Sequence, residues 1–487
     1  VLPDADPGEQ LLAELDSAPA WPLPREHAAR ASAMTGRAFR KGDRGWLSSM
    51  QSWEPGRPYL VDSLPRRIAF GFADFLFAED LDAKAADAGD QDALDAVIAA
   101  NRMPARLHRA ERIVVSEGEA WWKMHINHAV SGWPILTWNS RLDVVPLLYG
   151  DRVLACAFVT ERARECGTDE SGDPDPAQPD RVWRHVEIHS AGVVRNVLYR
   201  GTPDELGRRV SLESRPETAG YNPEWQHGLP MLAGRVINDF DDDETAGVSE
   251  YDAITDILLA LNEAVTIASE NARLTGKDRV MAAGRFTRAD GAFDASLEVF
   301  QVEPDGGTLG EGDGKPPVVV IEKSYDAEPL WLHIRSLVQT CLSRVGLVAQ
   351  FVGQDVEGAA ETGVGIRLRF LPTTNAAKGK AREWKADLPW ILHLLLRAAA
   401  LPVAQGGFGA PDPGEDPPAV ELPDPLPRDG GEEIRDVSTA VTSEVMSRRT
   451  AVVTLHPDWD DGQVDEEVAA IAADIDSVLP APPPPAA

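Results

Sequence analysis

The sequence predicts an α+β fold of two or three domains, and three observations carry this. The chain has 487 residues, more than one ordinary core organises. Runs rich in Val, Ile and aromatic residues, bounded by Gly, Asp and Pro, recur between residues 112 and 199 as half-buried strands do. From Ser249 onward, apolar residues return at helical spacing.

Region 1–245 mixes both element types. A short helix is expected over 92–101, with Asp92 as N-cap and a break before Pro104. Strands are expected over 112–116, 120–126, 153–159, 182–188 and 193–199. Trp121, Trp122, Trp133 and Trp138 cluster there, a density that reads as core packing. In region 246–276, Ser249 caps a helix whose apolar face is Ile254, Ile257, Leu258, Leu261 and Val265, stopping at Thr275-Gly276. Region 277–324 is Gly-rich and strand-like, with 318–321 the clearest strand. A second helix in region 325–346 starts near Glu328-Pro329, carries Leu330, Ile334, Leu337, Val338 and Cys341, and ends at Gly346.

Region 347–374 holds a Gly-rich segment, 353–365, and then a short strand over 365–370. A long, well-buried helix follows over 375–401, with Trp384, Leu388, Leu392 and Leu395 on one face. Pro389 in its middle predicts a kink, the alternative being two helices broken there. Region 402–430 is a linker of Pro, Gly and acid. Region 431–487 reads as a small helical domain, with helices over 432–446, 447–455 and 464–478 and a Pro-rich end expected to be disordered.

Composition narrows the function classes. Lys and Arg number 47 against 79 Asp and Glu, a net charge of −32. A chain whose whole surface grips nucleic acid is excluded by that balance. Cys156, Cys166 and Cys341 form no CxxC pair, which fits a reducing compartment and gives neither a disulfide framework nor a zinc site. No apolar run is long enough for a membrane span. The acidic opening lacks the regions of a signal peptide, and Val1 in place of Met points to a start inside a longer product.

Catalytic signatures fail one by one. The stretch Gly-Glu-Gly-Asp-Gly-Lys ending at Lys315 lacks the phosphate-loop spacing, and Pro316 stands where Ser or Thr is needed. On strands, His125 and His128 fall on opposite faces and His185 and His189 on one face, and no carboxylate or Cys completes a metal set. The acidic run 239–244 lacks the glycine turn and distal Glu of a calcium loop and reads as a solvated loop. One segment runs against the overall charge: Arg367, Arg369, Lys378, Lys380, Arg382 and Lys385 face only Glu383, and a basic segment of this kind suits phosphate or a neighbour's acidic face.

The order of these parts resembles the portal proteins of long-tailed bacteriophages of Gram-positive, especially actinobacterial, hosts. Gly118-Glu-Ala-Trp-Trp-Lys-Met-His-Ile126, Val144-Val-Pro-Leu-Leu-Tyr-Gly150, 154–160 and 194–199 with Leu206-Gly207 and Val210-Ser-Leu212 are similar to that family's wing. Ser249-Glu-Tyr-Asp-Ala-Ile254 through Leu261-Asn-Glu263 resembles its first stem helix, and Gly363-Val-Gly-Ile-Arg-Leu-Arg-Phe370 the segment before its long helix. Ser447-Arg-Arg-Thr-Ala451, Leu455-His-Pro-Asp-Trp459 and Glu466-Glu467 resemble its crown. The likeness covers roughly residues 85–478.

The resemblance implies a wing over 1–245, stem helices in 246–276 and 325–346, and a clip over 277–324. It further implies a tunnel loop with a wing strand in 347–374, a long kinked wing helix over 375–401, a linker over 402–430 and a crown over 431–487. It implies a dodecameric ring at the capsid vertex of the virion, assembled in the host cytoplasm. That ring conducts double-stranded DNA, without sequence specificity, during packaging, head–tail joining and ejection. The implied partners are further copies of the chain, the terminase large subunit and a head-completion or adaptor protein, with the major capsid and scaffolding proteins and no membrane. Gln354, Asp355, Glu357, Glu361 and Thr362 are the implied channel-facing residues, with no catalytic residue, cofactor or metal. Two other readings compete: a soluble acidic α+β hydrolase using 239–244, and another virion structural protein such as a head–tail adaptor.

Overall fold

A computed structural model describes residues 6–54, 57–167, 178–239, 245–275, 279–283, 299–302, 318–321, 327–352, 363–422, 430–456 and 459–478. The chain opens with helices α1 (Pro7–Asp16), α2 (His27–Lys41), α3 (Arg44–Met50) and α4 (Leu64–Phe77), strand β1 (Asp82–Lys84), and helices α5 (Gln91–Asn101) and α6 (Met103–Glu117). Strands β2 (Glu119–His125), β3 (Ile135–Ser140), β4 (Val144–Tyr149), β5 (Arg152–Glu165) and β6 (Arg181–Ser190) follow. Then come β7 (Val193–Thr202), β8 (Glu205–Val210), β9 (Glu224–Gln226) and β10 (Ala233–Ile237). The rest is α7 (Thr255–Thr275), β11 (Arg279–Ala283), β12 (Val299–Val302), β13 (Val318–Ile321), α8 (Glu328–Arg344), α9 (Gly363–Ala400), β14 (Ala419–Glu421), α10 (Gly430–Thr442), α11 (Arg448–Leu455) and α12 (Asp461–Val478).

Two units result, 1–357 with 370–423, and 358–369 with 424–487. In the first, β4-β5-β6-β7-β8 form an antiparallel sheet with β9 added to β7, and a second sheet has the order β10-β2-β3. Strand β2 is central and its two faces part company, as period two requires. Ala120, Trp122 and Met124 join a core with α5, α6 and the Trp384–Leu401 stretch of α9. Trp121 meets Val144, Cys156 and Phe158 of the larger sheet. The tryptophan cluster is therefore packing, with Trp121, Trp122 and Trp138 buried and Trp133 partly so. Helix α1 covers the larger sheet through Leu11, Leu12 and Leu15.

Helix α2 crosses α6 at Gly36, where an added Cβ would sit 1.6 Å from the Ser116 carbonyl oxygen. Only a hydrogen permits that approach. Gly36→Ala is therefore expected to lower stability by about 1–3 kcal/mol, the cost of overpacking a tight contact, as read by urea denaturation. Helix α6 ends at Gly118, whose φ of 85° is the left-handed conformation glycine adopts freely and whose N–H bonds the Val114 carbonyl at 2.9 Å.

Two expected strands are helical. Residues 112–116 belong to α6, because Ile113 and Val114 enter one core and Val115 another. With burial on several sides the helix has no single stripe, and its β-branched run mimics a strand. Residues 365–370 lie in α9, where the alternation of Ile366, Leu368 and Phe370 imitates period two. Helix α9 continues through both Pro372 and Pro389, so the break at Pro389 does not occur. Helix α5 starts one residue before Asp92, with Asp90 at the cap. The expected cap at Ser249 is displaced: a short 3-10 turn with Tyr251 at its N-cap precedes α7, and Ser249 Oγ accepts from Tyr251 N at 3.1 Å just ahead of it.

In the second unit α11 packs against α10 and α12. Ser447 caps α11 by accepting from Thr450 N at 3.1 Å, and Arg449 bridges to Asp461 at 2.6 Å and Asp465 at 3.1 Å.

Candidate functional site

Helices α7 and α8 pack together, joined by a three-stranded sheet of order β12-β11-β13. In it β11 pairs with β12 in parallel and with β13 antiparallel. The helix pair stands on α2–α4: Leu258, Leu261 and Ala264 of α7 and Ile334, Val338 and Cys341 of α8 share a core with Phe39, Leu47, Ile68 and Phe72. Polar side chains of α7 fix the preceding segment. Asn262 Oδ1 accepts from Asp62 N at 2.8 Å, and Thr266 Oγ1 accepts from Leu60 N at 2.9 Å. Among the described residues the outer side of α8 has no such cover, with Trp331 57% and Leu332 54% exposed.

The expected channel residues Gln354, Asp355, Glu357, Glu361 and Thr362 lie outside the described residues, as does the side chain of Arg367. So does the acidic run from Phe240 to Glu244. The remaining basic residues divide: Lys378, Arg382 and Lys385, spaced four and three apart, share one face of α9, and Lys380 does not. Lys378, Arg382 and Lys385 are exposed and Arg369 is half-buried. Lys380 departs from the expectation of a phosphate contact: it is buried, its ammonium bonded to Asn238 Oδ1 and Glu250 Oε1 and lying 4.7 Å from the Phe72 ring. Helical spacing accounts for the split, since Lys380 shares the inward stripe with Ala377 and Trp384 while its basic neighbours point outward.

The outward face of β2 carries charge into the space between the two sheets. Glu119 meets Arg141 and Arg235, and Lys123 Nζ bonds Glu187 Oε2 at 2.7 Å. The other Glu187 oxygen bonds His189 Nε2 at 2.8 Å and lies 3.8 Å from His125 Nδ1. Burial pushes Glu187 up, but His189, Lys123 and His125 outweigh it and hold the carboxyl well below the usual range. Burial pushes His125 and His185 each down to about 4.

This constellation adjoins a cleft of about 550 Å³ lined by Met124, His125, His128, Glu187, Asn196, Tyr221 and Trp225 among others. The histidine pairs thus gain a carboxylate that sequence spacing had not supplied. The signal was present in His185, Glu187 and His189, which alternate onto one face of β6. His125 ends β2 and His128 lies in the following turn, so both reach the cleft instead of opposite faces of one strand. At neutral pH the ionised Glu187 is committed to Lys123 and His189 while His125 and His185 are neutral. Those fixed states suit a structural lock between sheets better than proton transfer near pH 7.

Among the described residues no group of three or more His, Cys, Asp or Glu could hold a metal ion, and Cys156 and Cys341 are buried free thiols. No helix among them is long and apolar enough to cross a membrane. In comparison with known proteins, no family model and no curated protein matches this chain.

Proposed function

We propose that the chain is a portal protein, a subunit of a ring that conducts double-stranded DNA through a capsid vertex. The observation that carries this reading is the pair α7–α8, joined by a three-stranded insertion and followed by the 38-residue helix α9. Its support includes the uncovered Trp331 and Leu332. An apolar patch on one side of a helix, away from its own core, is satisfied by a different surface on a neighbouring copy. Repetition of such a heterologous contact closes into a ring when the rotation closes. On this reading α7 and α8 form the stem, the β11–β13 insertion docks the terminase and later the adaptor, and 353–362 faces the DNA. Capsid and scaffolding proteins would meet the outside of the ring, and the chain supplies no chemistry of its own.

Negative-stain microscopy with light scattering of the purified chain is expected to show a ring with a central hole, twelve subunits around. Trp331→Glu and Leu332→Glu are expected to shift the particle to monomers with unchanged circular dichroism, because both side chains are exposed in the single chain. A compact monomer at every protein concentration and salt would overturn the reading.

A further inference from the structure

Three helices far apart in sequence gather arginines on one surface. Helix α6 packs against both α2 and α4. Arg109 and Arg112 lie three apart along α6, which keeps them on one side; Arg102 is the left-handed residue just before the helix, and Arg106 turns inward to donate to the Leu136 carbonyl and to Asn101 Oδ1. Arg112 lies 4.5 Å from the centre of the Phe70 ring and Arg66 lies 5.2 Å from it, which brings α4 and α6 cations together. Arg40 of α2 reaches the same end of α6, donating to Ser116 Oγ at 2.7 Å and to Glu117 Oε1 at 2.6 Å. Arg37 and Lys41 flank it.

Of the acids nearby, Asp143 lies beside Arg37 and Arg30, and Glu117 and Asp74 are already engaged. Glu117 is buried and held by Arg40 and Ser140, and Asp74 bonds His108 at 2.7 Å. Arg37, Lys41, Arg102 and Arg109 make neither an ion pair nor a side-chain hydrogen bond within the described residues. Burial, then Arg37 and Arg40, lowers the proton affinity of Lys41; burial, then Arg40, Arg109 and Arg66, lowers that of Arg112. These cations repel one another on a chain whose net charge is −32. Such an arrangement is relieved by an external polyanion.

We propose that this face of α2, α4 and α6 binds the phosphate backbone of double-stranded nucleic acid without reading its sequence. Arginine forks match phosphate oxygens in pairs. Arg37 and Lys41 of α2 lie on the helix packed beside Arg109 and Arg112 of α6, so one stretch of duplex backbone meets all four. Phe70 is already engaged by Arg66 and Arg112, and a stacked base would have to compete with them, which favours a duplex over a single strand. The inference concerns the free subunit as well as any ring and does not depend on the proposed function.

The test is fluorescence anisotropy of the full chain with a labelled 20-base-pair duplex of random sequence between 50 and 200 mM salt, conditions chosen on the order of the range where phosphate contacts are sensitive. Four neutralised phosphates, one for each of Arg37, Lys41, Arg109 and Arg112, give a log–log salt slope of about −4. The double variant Arg37→Glu/Arg109→Glu is expected to weaken binding at least about tenfold and to flatten the slope by about 2. Arg37→Gln/Arg109→Gln should lose less, and the control Lys378→Glu/Lys385→Glu on α9 should bind as the parent does. Unchanged circular dichroism keeps the loss assigned to the surface. No duplex binding at the lowest salt, equal binding by the Arg37/Arg109 variant, or equal competition by a polyglutamate peptide of matched charge would each overturn the proposal, the last by making the face a site for acidic peptide.

Discussion

Glu119→Ala is expected to lower the stability of the chain by about 3–5 kcal/mol, the range for stripping the partner from a buried charge. Glu119 is 1% exposed. Its Oε1 lies 2.6 Å from Arg141 Nε and accepts from Trp121 Nε1 at 3.1 Å, while Oε2 accepts from Arg235 Nη1 at 2.8 Å. Both guanidiniums are themselves buried and tied to backbone: Arg141 to Val144 O at 2.8 Å, Arg235 to Thr245 O at 2.7 Å and Asp151 O at 3.1 Å. Arg141 retains Glu26 when Glu119 is removed, but Arg235 is left with carbonyl partners alone. The uncompensated charge, not the lost contact, sets the size of the effect.

Two comparisons separate these terms. Glu119→Gln preserves volume and one acceptor and should lose less than Ala. Pairing Glu119→Met with Arg235→Met removes charge from both sides and should recover part of the loss, an interaction readable as a double-mutant cycle. Urea denaturation supplies each value, and a Glu119→Ala loss under about 1 kcal/mol would show that the network is solvated in a way its burial does not suggest. Because Arg235 reaches Asp151 in the turn between β4 and β5, the same variant should loosen the two sheets of the first unit relative to each other. On the portal reading that is a softer wing.

The legible and illegible parts of the sequence divide along physical lines. Helix α8 has the bounds its stripe of Leu330, Ile334, Leu337, Val338 and Cys341 predicts, because one face is buried and the other is not. The cap at Ser447 is equally local. Helix α6 was not legible, since neighbours on several sides erase the helical period. The basic surface of α2, α4 and α6 escaped for a different reason. The basic stretches 37–44 and 102–112 are each visible along the chain, but Arg37, Arg66 and Arg109 meet only after three helices pack. The Glu187 lock escaped likewise, its Lys123 lying 64 residues away.

Acidification supplies the other large effect. His185 is 2% exposed and His227 is 3% exposed, and burial pushes each down to about 4. Hydrogen bonds give the same direction. His185 Nδ1 faces Arg162 Nη2 at 3.0 Å while its Nε2 faces Asn196 Oδ1 at 3.0 Å, so Nδ1 is the acceptor and a second proton there would oppose a guanidinium. His227 Nδ1 accepts from Leu229 N at 3.1 Å, and protonating it would set two donors against each other. Each histidine has a folded pKa below its unfolded value. Its contribution is therefore complete above about pH 6.5 and is lost as the pH falls towards 4, because the unfolded chain takes up the proton first. A displacement of about 2.5 pH units corresponds to about 3 kcal/mol per histidine.

Glu111 acts with the opposite sign. Burial raises it to about 7, so its folded form binds a proton first on acidification and gains stability between about pH 7 and 4.5. The parent profile alone therefore understates the histidine effect. Denaturation of the parent, His185→Asn and His227→Asn should be compared at each pH, where the Glu111 contribution cancels in the difference. Each variant should gain about 3 kcal/mol on the parent between pH 7 and 4. Glu111→Gln should do the reverse, gaining on the parent as the pH rises through 7 while its amide oxygen keeps the bond that Trp384 Nε1 donates at 2.6 Å. Differences independent of pH would mean that these imidazoles are hydrated in the folded chain and titrate as they do in the unfolded one.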